Sequence, residues 1–134
     1  MDKSLKLDPY DGSSWAAKAM VAASRYEWEN TDEYLSKAIH LRPTFAPYYV
    51  NRAMARYNAN NLRGAISDYD MAVDVDPENY VAHYNRGLLR MDVGDDNRAI
   101  IDFDFVLRKD PDNVMALFNR GMLKKEDSDD EDDD

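Results

Sequence analysis

Residues 76–113 read DPENYVAHYNRGLLRMDVGDDNRAIIDFDFVLRKDPDN, and the two ends of this stretch carry nearly the same four letters. Asp76-Pro77-Glu78-Asn79 and Asp110-Pro111-Asp112-Asn113 lie 34 residues apart, and Pro43 and Pro9 continue the same spacing towards the N-terminus. Asn51-Arg52 recurs as Asn85-Arg86 and Asn119-Arg120. Ala19, Ala53, Gly87 and Gly121 share one phase, and Ala38, Ala72 and Val106 share another. A fixed period of this length marks helix pairs stacked in series, because a single pair cannot bury its apolar face alone.

Each unit holds two helical patterns. Tyr49, Ala53 and Ala55 to Tyr57 belong to a first helix, and Ala65, Ile66, Tyr69, Ala72 and Val73 to a second. Asn60-Asn61 separates them, as Gly94-Asp95 does one unit later, where a short turn needs residues that tolerate a left-handed backbone. The proline of each Asp-Pro motif stops the preceding helix, and the following Asn caps the next one. These signals predict helices at 12–25, 30–42, 46–59, 62–75, 80–93, 96–109 and 114–125. The first unit is the least regular: Thr31 stands where Ala65 and Ala99 stand, Leu35 replaces Tyr69 or Phe103, and Trp15 stands where Tyr49 does.

The chain resembles the tetratricopeptide repeat family over nearly its whole length. The resemblance rests on Trp15 or Tyr49 opening a first helix, small Ala53 or Gly87 at a helix crossing, and Gly94 in the turn. Ala65-Ile66, Tyr69, Ala72 and Asp76-Pro77 follow, and Ala99-Ile100, Phe103 and Asp110-Pro111 repeat them. It implies an all-α fold, a right-handed superhelical solenoid of antiparallel helix pairs. The expected organisation is one domain over 1–125, with repeats at about 12–45, 46–79 and 80–113 and a partial repeat at 114–125. Lys6-Leu7-Asp8-Pro9 reads as the last turn of an earlier helix.

The resemblance also implies a scaffold that binds a peptide or protein segment in a concave groove lined by the first helices. The family's groove stripe falls here on Ala16 and Met20, then Val50, Met54 and Tyr57, then Tyr84, Leu88 and Met91, then Met115, Phe118 and Met122. Asn51, Asn85 and Asn119 lie beside it. Five of the seven methionines fall on this stripe, and an unbranched, polarizable side chain moulds itself to varied ligands. The partner it suggests is an apolar or amphipathic segment. The alternative is that the stripe packs neighbouring first helices, so that the chain is a purely structural inner segment of a longer array. One subgroup of the family clamps the Glu-Glu-Val-Asp tails of chaperones with Lys, Asn and Arg. The clamp's basic places are taken here by Ala16, Val81 and Met115, and only the asparagines remain, so a chaperone-tail receptor is not expected.

Chemistry is sparse. With no cysteine, disulfides, thiolate zinc sites and thiol nucleophiles are excluded. His40 and His83 occupy non-equivalent places, His83 that of Trp15 and Tyr49, which reads as packing. The five glycines form no nucleotide fingerprint. In Asp68-Tyr69-Asp70 and Asp102-Phe103-Asp104 the carboxylates are two residues apart, about 200° around a helix, and cannot converge on one atom. No catalytic, metal or cofactor site is read from the sequence. Arg52 with Asp68 and Arg86 with Asp102, each sixteen residues apart, read as structural ion pairs, and Arg120, which lacks a following helix here, is expected to be left free.

The formal charge of −10 is concentrated at one end: Glu126 to Asp134 carry eight acids and no base, leaving −2 on residues 1–125. A like-charge block of this kind is expected to form a disordered tail. No basic stripe exists for nucleic acid, and no apolar run approaches the ~20 residues of a membrane span. A chain complete as given would be expected in the cytoplasm. The closing segment carries Val114, Met115, Leu117, Phe118, Met122 and Leu123 around most of its circumference, which predicts self-association or contact with further repeats.

Overall fold

The computed structural model describes residues 8–132, with side chains as far as Lys124. Seven helices follow one another: α1 Gly12–Ser24, α2 Trp28–Leu41, α3 Ala46–Asn58, α4 Leu62–Val75, α5 Tyr80–Asp92, α6 Asp96–Lys109 and α7 Val114–Asp132. There is no strand among the described residues. The first six helices begin and end within two residues of the predicted ranges.

The starts follow from capping. Asp11 accepts a hydrogen bond from the Ser13 N–H at 2.9 Å, Asn61 from Gly64 at 3.0 Å and Asn113 from Ala116 at 3.0 Å, each satisfying an orphan donor of the first turn. Pro47 sits in the first turn of α3, where its missing N–H costs nothing. The ends within each pair follow from three left-handed residues spaced by the period: Tyr26 at φ 60°, Asn60 at 65° and Gly94 at 86°. The residue after each donates back across the turn, Glu27 to Ala22 at 3.0 Å, Asn61 to Arg56 at 2.7 Å and Asp95 to Arg90 at 2.7 Å. This closes the helix and reverses the chain in two or three residues.

α1 packs on α2, α3 on α4 and α5 on α6, with α2 also against α3 and α6 against α7. Small residues recur where the helices cross: Ala19, Ala53 and Gly87 are buried, as are Leu35, Tyr69 and Phe103 sixteen residues on, and a Cβ on Gly87 would meet Phe103. Ala38, Ala72 and Val106 close the core one turn later. Thr31 keeps this pattern despite its hydroxyl, because Oγ1 donates to the Glu27 carbonyl at 2.8 Å and enters the core satisfied.

The chain divides into two compact units between Asn79 and Tyr80, α1–α4 in one and α5–α7 in the other. Packing in a helix-pair array runs between sequence neighbours, so no single core obliges the units to merge. In addition α7 runs past Lys125 to Asp132, into the segment expected to be disordered. After Gly121 the sequence holds no Gly or Pro to stop it. Lys6-Leu7 and Asp133-Asp134 lie outside the described residues.

Candidate functional site

Forked arginine–aspartate contacts join the two helices of the α3–α4 and α5–α6 pairs. On α3, Arg52 donates from Nε to Asp68 Oδ2 at 2.9 Å and from Nη2 to Oδ1 at 2.7 Å, a fork on a carboxylate buried in α4. Its Nη1 donates to Ser36 Oγ on α2 at 3.0 Å, so one guanidinium ties three helices. On α5, Arg86 repeats the fork on Asp102, with Nη2 2.8 Å from Oδ1 and Nε 3.1 Å from Oδ2. A second arginine joins each carboxylate, Arg56 to Asp68 at 3.1 Å and Arg90 to Asp102 at 2.8 Å. Arg56 also reaches Asp32 on α2 at 2.9 Å. Sequence reasoning missed Arg56 and Arg90. The signal was present, since each lies four residues after its partner arginine and recurs after 34.

Burial works against the Arg52 charge, yet its bonds to Asp68, with the charges of Asp68, Asp32 and Tyr49, outweigh it and raise its pKa. Beside it the Tyr69 phenol is pushed up to about 12, mainly by burial and further by Tyr57 and Asp68. His83 stacks on Phe105 with centroids 3.7 Å apart, and its Nδ1 lies 3.6 Å from Asp102 Oδ1. A buried carboxylate held by two guanidiniums is a structural knot. Asp70 is exposed beside buried Asp68, as two residues of one helix must be. Arg120, expected to lack a partner, reaches backward instead: Nη1 donates to Asp104 on α6 at 2.9 Å.

The stripe residues separate into three kinds. In the N-terminal unit Met20, Met54 (46 % exposed) and Tyr57 are open, Asn51 is half-buried, and Val50 (6 %) is core. In the C-terminal unit Tyr84, Leu88 and Met91 are half-buried and lie against the cluster of Ala99, Phe103, Val106, Leu107, Ala116 and Leu123. Asn85 is half-buried, and Asn119 is buried, its Nδ2 donating to the Tyr84 hydroxyl at 3.3 Å. Met115, Phe118 (60 %) and Met122 are exposed on α7. Spacing places all these residues on comparable helix faces, but neighbouring helices cover α5 and leave much of α7 open.

An open depression of about 360 Å³ on the N-terminal unit is lined by Pro9, Trp15, Glu33, Ser36, Lys37, His40 and Leu41, none of them on the stripe. Among the described residues no group of three or more His, Asp or Glu side chains could hold a metal ion. No described helix is long and apolar enough to cross a membrane.

No family model and no curated protein matches the sequence. Solved structures do match the fold. The first tetratricopeptide domain of Spaghetti (RPAP3), bound to the HSP90 peptide SRMEEVD, shares 20 % identity at a TM-score of 0.83, over 91 % of this chain and 97 % of that one. The tetratricopeptide domain of Arabidopsis OM64 shares 26 % identity at 0.80, over 88 % and 98 %. The second such domain of human RPAP3, in complex with the HSP70 peptide SGPTIEEVD, shares 26 % at 0.77, over 84 % and 94 %. The chain is an all-α protein of the tetratricopeptide-repeat fold.

Proposed function

We propose that this chain is a protein-interaction module that takes up an apolar or amphipathic segment of a partner on the exposed first-helix residues of its N-terminal unit. Met20, Met54 and Tyr57 form the ligand-facing surface there, with Asn51 beside them to hydrogen-bond the segment's backbone. The observation that carries this reading is the exposure of two methionines and a tyrosine on helices whose other faces are buried. Fold neighbours that hold peptides support it. Those peptides end in acidic tails, and the basic residues such tails need are replaced here by Ala16 and Val81. The ligand class proposed is therefore different from that of the neighbours.

The test is an array of amphipathic and acidic-tailed peptides probed with the whole chain and with a Met20→Glu, Met54→Glu variant. Binding of amphipathic peptides, lost in a variant with an unchanged thermal midpoint, supports the reading. Preference for SRMEEVD-type tails overturns it. A folded chain that binds no peptide favours a purely structural segment instead. Met91→Glu is unsuited to this test, because Met91 leans on the core of its own unit.

A further inference from the structure

We infer that the turn between α1 and α2 is a binding site for a cationic side chain, the ammonium group of a lysine in a partner protein, received by the rings of Tyr26 and Trp28 beside Glu27 and Glu29. The site shares no residue with the methionine surface and stands without that reading.

The 34-residue register sets this turn apart from its two equivalents. Tyr26, Asn60 and Gly94 hold the same left-handed place, and Trp28, Leu62 and Asp96 open the helix that follows. Asn and Gly adopt that backbone at little cost, whereas a tyrosine is strained in it. Burial does not repay the strain, because Tyr26 is 77 % exposed. Asn60 is exposed as well, although helix pairs come before and after its own in the chain, so the openness belongs to this place in the repeat. The two rings stand edge-on, 5.8 Å apart at 66°, and both line an open depression of about 470 Å³. Glu27, Glu29, Asn30 and Ala59 complete its lining.

The chemistry of the occupant follows from the other aromatic pairs of the same unit. Trp15 and Tyr34 stack at 6.1 Å, with Lys37 Nζ 4.4 Å from the Trp15 ring centre and Lys18 Nζ 4.7 Å from that of Tyr34. Phe45 and Tyr48 meet at 63°, close to the angle of Tyr26 and Trp28, and the Arg42 guanidinium lies 4.2 Å from the Phe45 ring centre. The negative faces of the rings attract these cations. Among the described residues no lysine or arginine lies over Tyr26 or Trp28. Arg25 and Arg63 adjoin the two turns in sequence and line none of the depression. Its charged lining is acidic. Glu29 is exposed, and Glu27 accepts through Oε1 from Asn30 Nδ2 at 3.1 Å, leaving Oε2 unengaged among the described residues. The N-terminus of α2 disfavours a cation at this end, and the two carboxylates offset it.

The probe is a short, blocked peptide whose one charge is a lysine, titrated at millimolar concentration into the whole isotope-labelled chain and followed by NMR at the indole N–H signals. Trp15 and Trp28 are the only tryptophans, so a Trp28→Phe spectrum assigns both. The Trp28 signal should shift saturably while that of Trp15, whose ring already carries Lys37, stays in place. The same peptide with norleucine for lysine should bind about fivefold or more weakly, because it keeps the apolar stem and lacks the charge. Tyr26→Asn installs the residue of the equivalent turn, so it should hold or raise the thermal midpoint and weaken binding by a similar factor. Glu29→Gln, at an exposed position, should also weaken binding with the fold intact, and it serves where Tyr26→Asn lowers the midpoint. Equal binding of the two peptides, equal shifts at both indoles, undiminished binding to a folded Tyr26→Asn or Glu29→Gln chain, or no saturable shift would each overturn the inference.

Discussion

Gly87 and Phe103 mark the closest approach of two helices in the C-terminal unit: a Cβ on the glycine would stand 2.9 Å from the ring of a fully buried phenylalanine. Real Cβ atoms do not come that near, so α5 crosses α6 at this distance only because the side chain is a hydrogen. Gly121 occupies the same phase, and a Cβ there would meet nothing within 4 Å among the described residues.

The two glycines should therefore respond oppositely to alanine. Gly87→Ala forces Phe103 or the helix axis to shift, costing about 1–3 kcal/mol, which exceeds the roughly 1 kcal/mol of helix propensity gained. Gly121→Ala gains the propensity alone and should raise the thermal midpoint by a few degrees. Circular dichroism melts decide it, and equal effects at both sites would remove the packing argument.

Asp102 should be the costlier residue to lose in its cluster. Asp102→Ala leaves Arg86 and Arg90, both largely buried, without their carboxylate, and should cost about 3–5 kcal/mol. Arg86→Ala should exceed the ~0–1 kcal/mol of an exposed pair, although Arg90 still compensates the charge. A double-mutant cycle measures the coupling, and a value near zero would show that the fork contributes nothing to register.

Tyr26 holds a left-handed backbone at φ 60°, where the equivalent turns use Asn60 and Gly94. A bulky residue there carries about 1–2 kcal/mol of strain, and its ring, exposed and edge-on to Trp28 at 5.8 Å, recovers part of it. Tyr26→Asn should stabilise the fold by about 0.5–1 kcal/mol. Chemical denaturation with an unchanged m-value would confirm it, and a loss of stability would show that the Tyr26–Trp28 contact outweighs the strain.

Tyr69 should make stability fall in strong alkali. Its pKa is about 12 in the folded chain against about 10 for an unfolded tyrosine, so the folded state holds the proton more tightly. The corresponding stability is fully present below pH 10 and is lost as pH rises from 10 through 12, at roughly 1.4 kcal/mol per unit. Tyr69→Phe should flatten this part of the pH profile relative to the parent chain, and identical slopes would contradict the shift.

Periodicity by itself determined the seven helices, the turns at Asn60 and Gly94, the small residues at the crossings and the sixteen-residue spacing that joins Arg52 to Asp68. These are properties of one helix or one adjacent pair. Backbone dihedrals, capping and the angle of a side chain about its own axis repeat wherever the residue types repeat. Burial is not such a property. Val50 and Met54 lie one turn apart on the same stripe, yet one is core and the other open, and Met91 rests on the Phe103 cluster while Met122 is exposed. Asn51, Asn85 and Asn119 share a phase, but Asn119 is buried and bonded to Tyr84. Only the tertiary structure decided these outcomes. How far a side chain is covered depends on the reach and tilt of the neighbouring helices and on whether a following helix lies there, and a one-dimensional period encodes none of these.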